Sequence, residues 1–513
     1  VLSKDLSIKQ ISRIIFVIYL FEQVTCKFIN INPIQAKVMI NSFISDLIIK
    51  EIGYEPTPSQ SILAGQLSNF ISSDVSNRTF LIKGYAGTGK TTAISALVKA
   101  LEKLKIHSVL LAPTGRATKV LSQYTGRQAS TIHKKIYRKQ SGDWSGRFSL
   151  DRNLHKDTVF IVDEASMISN TAQDQSVFGS GYLLSDLIEY VNSGINCRLI
   201  ISGDTAQLPP VGLAISPALD KKELQSFNLE IMSCELTDVV RQSEDSGILA
   251  NATYLRNLLS ENIFSGFWKI NTGFPDIIRL SGSDLIEEIS SCYDHFGTEE
   301  TIIITRSNKR ANQFNEGIRR SILCREEQIC RGDLLMVVKN NYFWSKQSEE
   351  FEFIANGDVA EVVRIGKYEE IYGFHFVNVT LNFIDYKNVS IDCKIILDSL
   401  LIDAPALTNE HNRKLYEAIA EDFPEIHNKR KLWEKIKENE YYNALQVKFS
   451  YAVTCHKAQG GQWKAAFIDH GYLTESMIDR EFLRWAYTAF TRGTEKLYLV
   501  NFSKEFFNQQ ETD

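Results

Sequence analysis

Little in this chain is extreme, and each shortage narrows what it can be. Only 10 prolines and 28 glycines occur in 513 residues, and no low-complexity segment appears. The eight cysteines (Cys26, Cys197, Cys234, Cys292, Cys324, Cys330, Cys393 and Cys455) are scattered without a CxxC pair. That argues against structural zinc and for a reducing, cytoplasmic setting. Net charge is −5, from 57 basic and 62 acidic residues, so no global basic field exists and any basic surface must be local. Long hydrophobic runs are missing too. Residues 14–21 (IIFVIYLF) form an apolar run of eight, far short of the ~20 residues that span a bilayer. Arg13 ahead of it loosely suggests a signal peptide, but no clean small-residue cleavage site follows. No membrane association is expected.

The length suits roughly three or four domains. Residues 1–38 contain no methionine, and from Met39 the chain reads as a natural amphipathic opening helix. Residues 1–38 are therefore expected to be an extension outside the native or ordered protein, against the alternative of a genuine extra helix.

What the chain does have begins at residues 80–92, FLIKGYAGTGKTT. This is a GxxxxGK[ST] phosphate-binding loop at Gly84, Gly89, Lys90 and Thr91, between a short apolar strand and a helical run. Glycines let successive N–H groups point at phosphates, and the helix N-terminus adds a favourable dipole. Ala86, Gly87, Thr88 and Thr92 are expected around ATP with them. Lys90 supplies a point charge for the β- and γ-phosphates, and the Thr91 hydroxyl is placed to ligate Mg²⁺. An ordinary glycine-rich turn would require neither residue.

Three further segments fit that site. Residues 158–169 form an apolar strand ending in Asp163-Glu164; Asp163 is expected to hold the metal and Glu164 to orient or deprotonate water. A third strand, 197–202, runs into GDTAQLPPV and brings Asp204 and Gln207 to the sheet mouth, where open α/β folds bind ligands. The alternative for GDTAQLPPV is a plain turn. Gln60, opening a helix in EPTPSQ, has an amide that matches an adenine edge. Arg241 and Arg492 are candidates to stabilise charge on the γ-phosphate, although either alone would read as a surface ion pair.

The ordered series PTPSQ, GYAGTGKT, LAPTGRATKVL, STIHKKIY, VDEASMI, GDTAQLPPV, LTDVVRQ, TRSNKRANQFN, TCHKAQGGQW and YTAFTRG resembles the motif set of superfamily 1 helicases. It is most similar to the RecD/Dda-like branch, with Pif1-type enzymes as cousins, over residues 55–500. The resemblance implies an α/β fold of two RecA-like parallel-sheet domains with ATP between them. Gly84–Thr91 would lie on the first domain and Arg492 on the second. It further implies ATP-driven 5′→3′ movement on single-stranded DNA and unwinding of duplex, as in replication, recombination and repair.

Single-stranded DNA is expected to meet Thr114, Arg116, Thr131 and His133 from the first half, and Thr454, His456 and Lys457 from the second. For His133 and His456 a core or capping role is the alternative. The resemblance also brings Gln459 and Gly460 towards the nucleotide. Residues 134–148 carry five basic residues against one acid, with Tyr137, Trp144 and Phe148 interleaved. They read as a hairpin; the resemblance implies that it meets the duplex junction, with Trp144 or Phe148 as its wedge, and a solvated insertion is the alternative. Residues 331–384 alternate like strands, with a tight turn at Asn356-Gly357, and resemble an SH3-like barrel; charged helices follow.

The expected division is a first RecA-like domain at 39–121 and 156–232, a hairpin (pin) insertion at 122–155, a second RecA-like domain at 233–330 and 445–513, and the barrel with charged helices at 331–444. Expected partners are single-stranded DNA and duplex junctions, with single-strand-binding or nuclease proteins beside them, and the chain is expected to be a monomer. A protein-remodelling motor, an RNA helicase and a small-molecule kinase are the competing readings; the kinase leaves Arg241, Arg492 and the second core unexplained.

Overall fold

Short apolar segments rich in Ile, Leu and Val make the strands here, because a strand covered on both faces buries every side chain. The computed structural model describes residues 33–73, 77–139, 148–171, 178–240, 245–264, 266–347, 353–384, 386 and 389–508. Two helices open it: α1 (Pro33–Ile52) and α2 (Pro58–Ser72). The first helix therefore starts ahead of Met39, inside the stretch expected to be an extension, with proline at the position where a missing N–H costs least.

The first sheet is wholly parallel. It uses β1 (Arg78–Gly84), β2 (His107–Ala112) and β3 (Ser130–Thr131). After the antiparallel pair β4 (Tyr137–Lys139) and β5 (Phe148–Leu150) come β6 (Thr158–Val162), β7 (Arg198–Gly203) and β8 (Glu230–Leu236). The order is β3-β2-β6-β7-β1-β8. Helix α3 (Lys90–Lys103) leaves β1, and α4 (Gly115–Thr125) follows β2. All five residues of β6 are buried, and each large apolar side chain so buried contributes roughly 1.5–3 kcal/mol.

Helix α5 (Gly247–Glu261), started by Ser246, leads into a second parallel sheet. Its strands are β9 (Ile277–Leu280) and β10 (Thr301–Thr305), then, beyond the barrel, β16 (Ala452–Thr454), β17 (Trp463–Asp469) and β18 (Gly493–Val500). They run in the order β16-β10-β17-β18-β9. Helices α6 (Asn308–Ser321) and α7 (Arg480–Phe490) flank it.

Between β10 and β16 the chain closes a barrel from β11 (Leu334–Val337), β12 (Val359–Ile371), β13 (Phe374–Phe383), β14 (Val389–Ile396) and β15 (Leu445–Phe449). Three segments sit differently from expectation. Residues 445–449, expected in the second sheet, pair with β11 (Leu335 opposite Phe449) and close the barrel. Residues 233–236 extend β8 and stay in the first sheet. Ser130 and Thr131, expected in the hairpin insertion, pair with β2. In each case alternation of apolar residues marks a strand but does not choose its neighbour.

Barrel and second sheet are joined through buried charge. Asp333, fully buried, accepts from Arg325 Nη1 (2.7 Å), Arg319 Nη2 (3.0 Å), the Tyr451 hydroxyl (3.1 Å) and the Cys330 N–H (2.7 Å). Tyr451 lies between β15 and β16, and its hydroxyl also accepts from Leu334 N–H (3.1 Å). A buried carboxylate persists only when neutralised and hydrogen-bonded in this way.

The barrel also touches the root of the hairpin. Phe148 of β5 packs against Tyr342 (ring centres 4.8 Å apart) and Phe353 (6.1 Å), and Phe178 joins the same cluster at 5.3 Å from Phe353. Trp144 and the rest of the hairpin tip, 140–147, lie outside the described residues, as do 1–32 and Arg241.

Candidate functional site

The sheet order β6-β7-β1 places three chemically loaded strand ends side by side. Beyond β1, Gly87 and Gly89 take left-handed φ values of 75° and 77°, which lets the loop curl before α3 begins at Lys90. A Cβ on Gly89 would stand 2.4 Å from Gln60 Nε2, so this close approach needs glycine. Lys90 Nζ donates to Tyr85 O (3.1 Å) and lies 3.9 Å from Asp204 Oδ2, at the end of β7. Thr91 and Thr92 fall in the first turn of α3, half-buried.

Asp163, at the end of β6, is buried, and its N–H donates to Leu111 O (3.0 Å). Glu164 follows with φ 54°, a left-handed conformation that a side-chain-bearing residue holds at a cost. Burial pushes both carboxyl groups upward. Lys90 is the main opposing charge at Asp163, and Arg492 at Glu164. Carboxylates of this kind at a strand end offer the hard oxygen donors that Mg²⁺ takes. Gln207 is buried, and its Oε1 accepts from Ser166 Oγ (3.4 Å), tying the β7 loop to the β6 loop.

Gln60 is placed otherwise than expected. Its Nε2 donates to the Tyr54 hydroxyl (3.1 Å) and to Thr88 O (3.2 Å), and its Oε1 accepts from Thr57 N–H (3.1 Å). Both amide protons are used within the protein and the side chain is 1% exposed, so it ties α2 to the phosphate loop instead of presenting a free edge.

The second sheet faces this loop directly. The Tyr487 hydroxyl of α7 accepts from Ala86 N–H (2.8 Å) and donates to Asp204 Oδ2 (2.6 Å). Leu208 N–H donates to Thr488 Oγ1 (2.9 Å), and Gln459 Nε2 donates to Leu208 O (2.7 Å). Arg492, 4% exposed, donates to Thr488 O (3.0 Å), Gly461 O (3.1 Å) and Thr491 Oγ1 (3.0 Å). Arg256 of α5 stacks over the Tyr85 ring at 4.7 Å, and its Nη1 is buried with no hydrogen-bond partner among the described residues. Tyr487 and Arg256 escaped the sequence reading. Tyr487 carried a signal, since it opens the YTAFTRG segment quoted for its arginine; Arg256 carried none.

Residues expected on DNA divide into two groups. Thr114 caps α4, accepting from Ala117 N–H (3.3 Å), and Thr131 caps the short helix Ile132–Ile136, accepting from Lys134 N–H (3.2 Å). Arg116 lies over the Trp463 ring at 4.3 Å. His133 packs on Phe178 (4.8 Å) and Tyr137 (5.8 Å), and burial lowers its pKa to about 4. These four side chains are engaged within the protein. Gly460, expected at the nucleotide, has φ 73° and lies against α4 instead: a Cβ there would meet Ala117 Cβ at 2.8 Å and Thr114 Oγ1 at 3.4 Å.

The other group is gathered. Thr454 and Lys457 line a narrow crevice with Asn308, Asn312 and Lys448. Burial lowers Lys457 to about 8 and Lys448 to about 8, and it lowers His456 as well. The Lys448 ammonium is spent on Leu400 O and Ile402 O, which leaves Lys457 as the desolvated charge beside the amide side chains, a group that suits an anionic backbone.

A family model for an AAA domain matches residues 65–258, and one for a UvrD-like helicase C-terminal domain matches 449–500. The chain is 28% identical over 201 residues to the ATP-dependent RecD2 DNA helicase of Deinococcus radiodurans, covering 38% of this chain and 24% of that protein. To the ATP-dependent DNA helicase dda of Enterobacteria phage T4 it is 27% identical over 265 residues, 50% of this chain and 55% of that one. The Pif1 helicase of Candida albicans aligns in structure with a TM-score of 0.41 at 14% identity, over 88% of this chain and 96% of that one. The chain thus spans about a quarter of RecD2 and about half of Dda. With its ordered motifs, two parallel sheets and both family matches in register, the chain is similar to the superfamily 1 helicases of the RecD/Dda-like branch.

Proposed function

We propose that this protein is an ATP-dependent DNA helicase that moves 5′→3′ along single-stranded DNA and separates duplex ahead of it. The observation that carries the reading is the seating of the phosphate loop and the Asp163-Glu164 pair against α7 and Arg492 of the second sheet. A triphosphate bound there touches both sheets, so its hydrolysis alters their separation. Thr91 and Asp163 would hold Mg²⁺, which shields phosphate charge. Glu164 orients or deprotonates water, Lys90 steadies the β- and γ-phosphates, and Arg492 with Arg241 stabilises transition-state charge. Gln207 senses the γ-phosphate through its link to Ser166.

Single-stranded DNA would run past Thr454, His456 and Lys457, with Thr114 and Arg116 at the facing edge. The five-stranded barrel is read as SH3-like, and it would brace a pin whose tip carries Trp144. The protein would act as a cytoplasmic monomer on forked DNA, with single-strand-binding or nuclease proteins as partners.

The test is unwinding of forked DNA and RNA duplexes bearing 5′ or 3′ tails, with hydrolysis measured alongside. Separation of 5′-tailed DNA that vanishes in Lys90→Ala is expected. DNA-stimulated hydrolysis without any strand separation would assign the chain to protein remodelling, and a preference for RNA or 3′ tails would overturn the substrate or the direction.

A further inference from the structure

One phosphate-loop N–H already has a partner, and that partner comes from the other sheet. Ala86 N–H donates to the Tyr487 hydroxyl at 2.8 Å, and the hydroxyl donates in turn to Asp204 Oδ2 at 2.6 Å. Tyr487 is 1% exposed, and Asp204 is also 1% exposed. Asp204 in turn lies 3.9 Å from Lys90 Nζ, the cation expected on the phosphates. The helix that carries Tyr487 is held by its neighbour Thr488, whose Oγ1 accepts from Leu208 N–H at 2.9 Å. An amide has one proton. A phosphate oxygen entering the cradle and the Tyr487 hydroxyl therefore compete for Ala86 N–H.

We propose that Tyr487 is a positioning residue that an incoming nucleoside triphosphate displaces from Ala86, so that binding of phosphate unfastens α7 from the loop. This rests on the reading of residues 84–91 as the nucleotide site. The phenolic oxygen stands where a phosphate oxygen would accept, and the ring carries the exchange to the second sheet. Thr488 and Gln459, which grip Leu208 on either side, then transmit the movement to the loop after β7. Asp204 loses its tyrosine donor in the same step and is left to Lys90 and to Ala206 N–H, which already donates to Oδ1 at 2.9 Å.

The variant Tyr487→Phe keeps the ring and deletes only the hydroxyl. With its competitor gone, the loop should bind a fluorescent ATP analogue roughly three- to tenfold more tightly, the worth of one buried hydrogen bond. Hydrolysis without DNA should rise, and stimulation by DNA should shrink. A merely structural tyrosine would give the opposite sign, since loosening the loop weakens binding. Lys90→Ala separates the two readings: if it binds the analogue as wild type does, the nucleotide site itself is misplaced.

If Lys90→Ala loses binding while Tyr487→Phe binds no more tightly than wild type, the displacement is wrong and the site stands. Should Tyr487→Phe fail to fold, wild-type amide exchange decides. Segment 480–490 should exchange faster once a non-hydrolysable ATP analogue is added, and unchanged or slower exchange overturns the proposal.

Discussion

The guanidinium of Arg116 lies 4.3 Å from the centre of the Trp463 ring, so a side chain expected on a phosphate also joins the two sheets. Trp463 opens β17 and is buried; Arg116 belongs to the first turn of α4. Such a stack is worth roughly 0.5–2 kcal/mol, depending on how dry it is. Arg116→Ala should therefore lower DNA-stimulated hydrolysis several-fold with little change in melting temperature. Lysine should not rescue it, because a point charge lacks the flat face that stacks. Full rescue by Arg116→Lys would return the residue to a simple phosphate contact.

Gly460 tests the same seam from the other side. Alanine there must take φ 73° and bring its Cβ to 2.8 Å from Ala117. The conformation alone costs roughly 1–2 kcal/mol. Gly126→Ala is the control, with φ 68° and nothing within 4 Å. Gly460→Ala should lose more stability than Gly126→Ala in thermal melts, because it adds the clash to the φ cost, and only Gly460→Ala should lose DNA-stimulated hydrolysis, by about tenfold or more. Equal activity in the two variants would show that contact with α4 has no part in coupling.

Arg492 is expected to act on the γ-phosphate, yet it also holds Thr488 O and Gly461 O. Arg492→Ala should keep nucleotide affinity within a few-fold and lose roughly 10³-fold or more in turnover. It should also melt earlier, by the cost of buried carbonyls left unpaired, about 1–3 kcal/mol. Weaker nucleotide binding with unimpaired hydrolysis of what does bind would remove the arginine from the transition state.

His133 gives a pH dependence. Packed on Phe178 and Tyr137, it has its pKa lowered by burial from 6.5 to about 4. The unfolded chain thus takes up the proton first. The stability this histidine supplies is intact above about 6.5 and is lost as pH falls towards about 4. Melting of wild type should drop between pH 7 and pH 5 by more than that of His133→Phe, and the difference isolates this ring from the other histidines. Parallel pH profiles would mean the ring is not desolvated.

Much of the site was legible because its chemistry is local. Gly84 to Thr91 declare a phosphate loop in eight consecutive residues, and Asp163-Glu164 mark the end of a strand whose five residues are all apolar or β-branched. What stayed hidden depends on distant partners. The amide of Gln60 is spent on Thr88, 28 residues away, and Tyr487 meets Ala86 across 401 residues. No spacing rule reaches that far. The fifth barrel strand failed for a related reason, since Leu445–Phe449 alternates equally well for either sheet and only Leu335 and Val337 across the ladder decide.

The Asp333 cluster has a mechanical meaning. Two arginines and Tyr451 are clamped on one carboxylate, and only Ser450 and Tyr451 lie between β15 and β16, so barrel and second sheet are tied at a short, buried junction. Together they form one arm. The far end of that arm rests on Phe148 and Phe178, which belong to the other half of the molecule. Each ring pair adds only about 0.5–1.5 kcal/mol beyond its buried area and no hydrogen bond, so the rings can shift from one tilt to another at modest cost. In the proposed helicase, each opening and closing of the two sheets would be delivered as a sideways rub at the root of the β4–β5 pair, where Phe148 meets Tyr342 and Phe353.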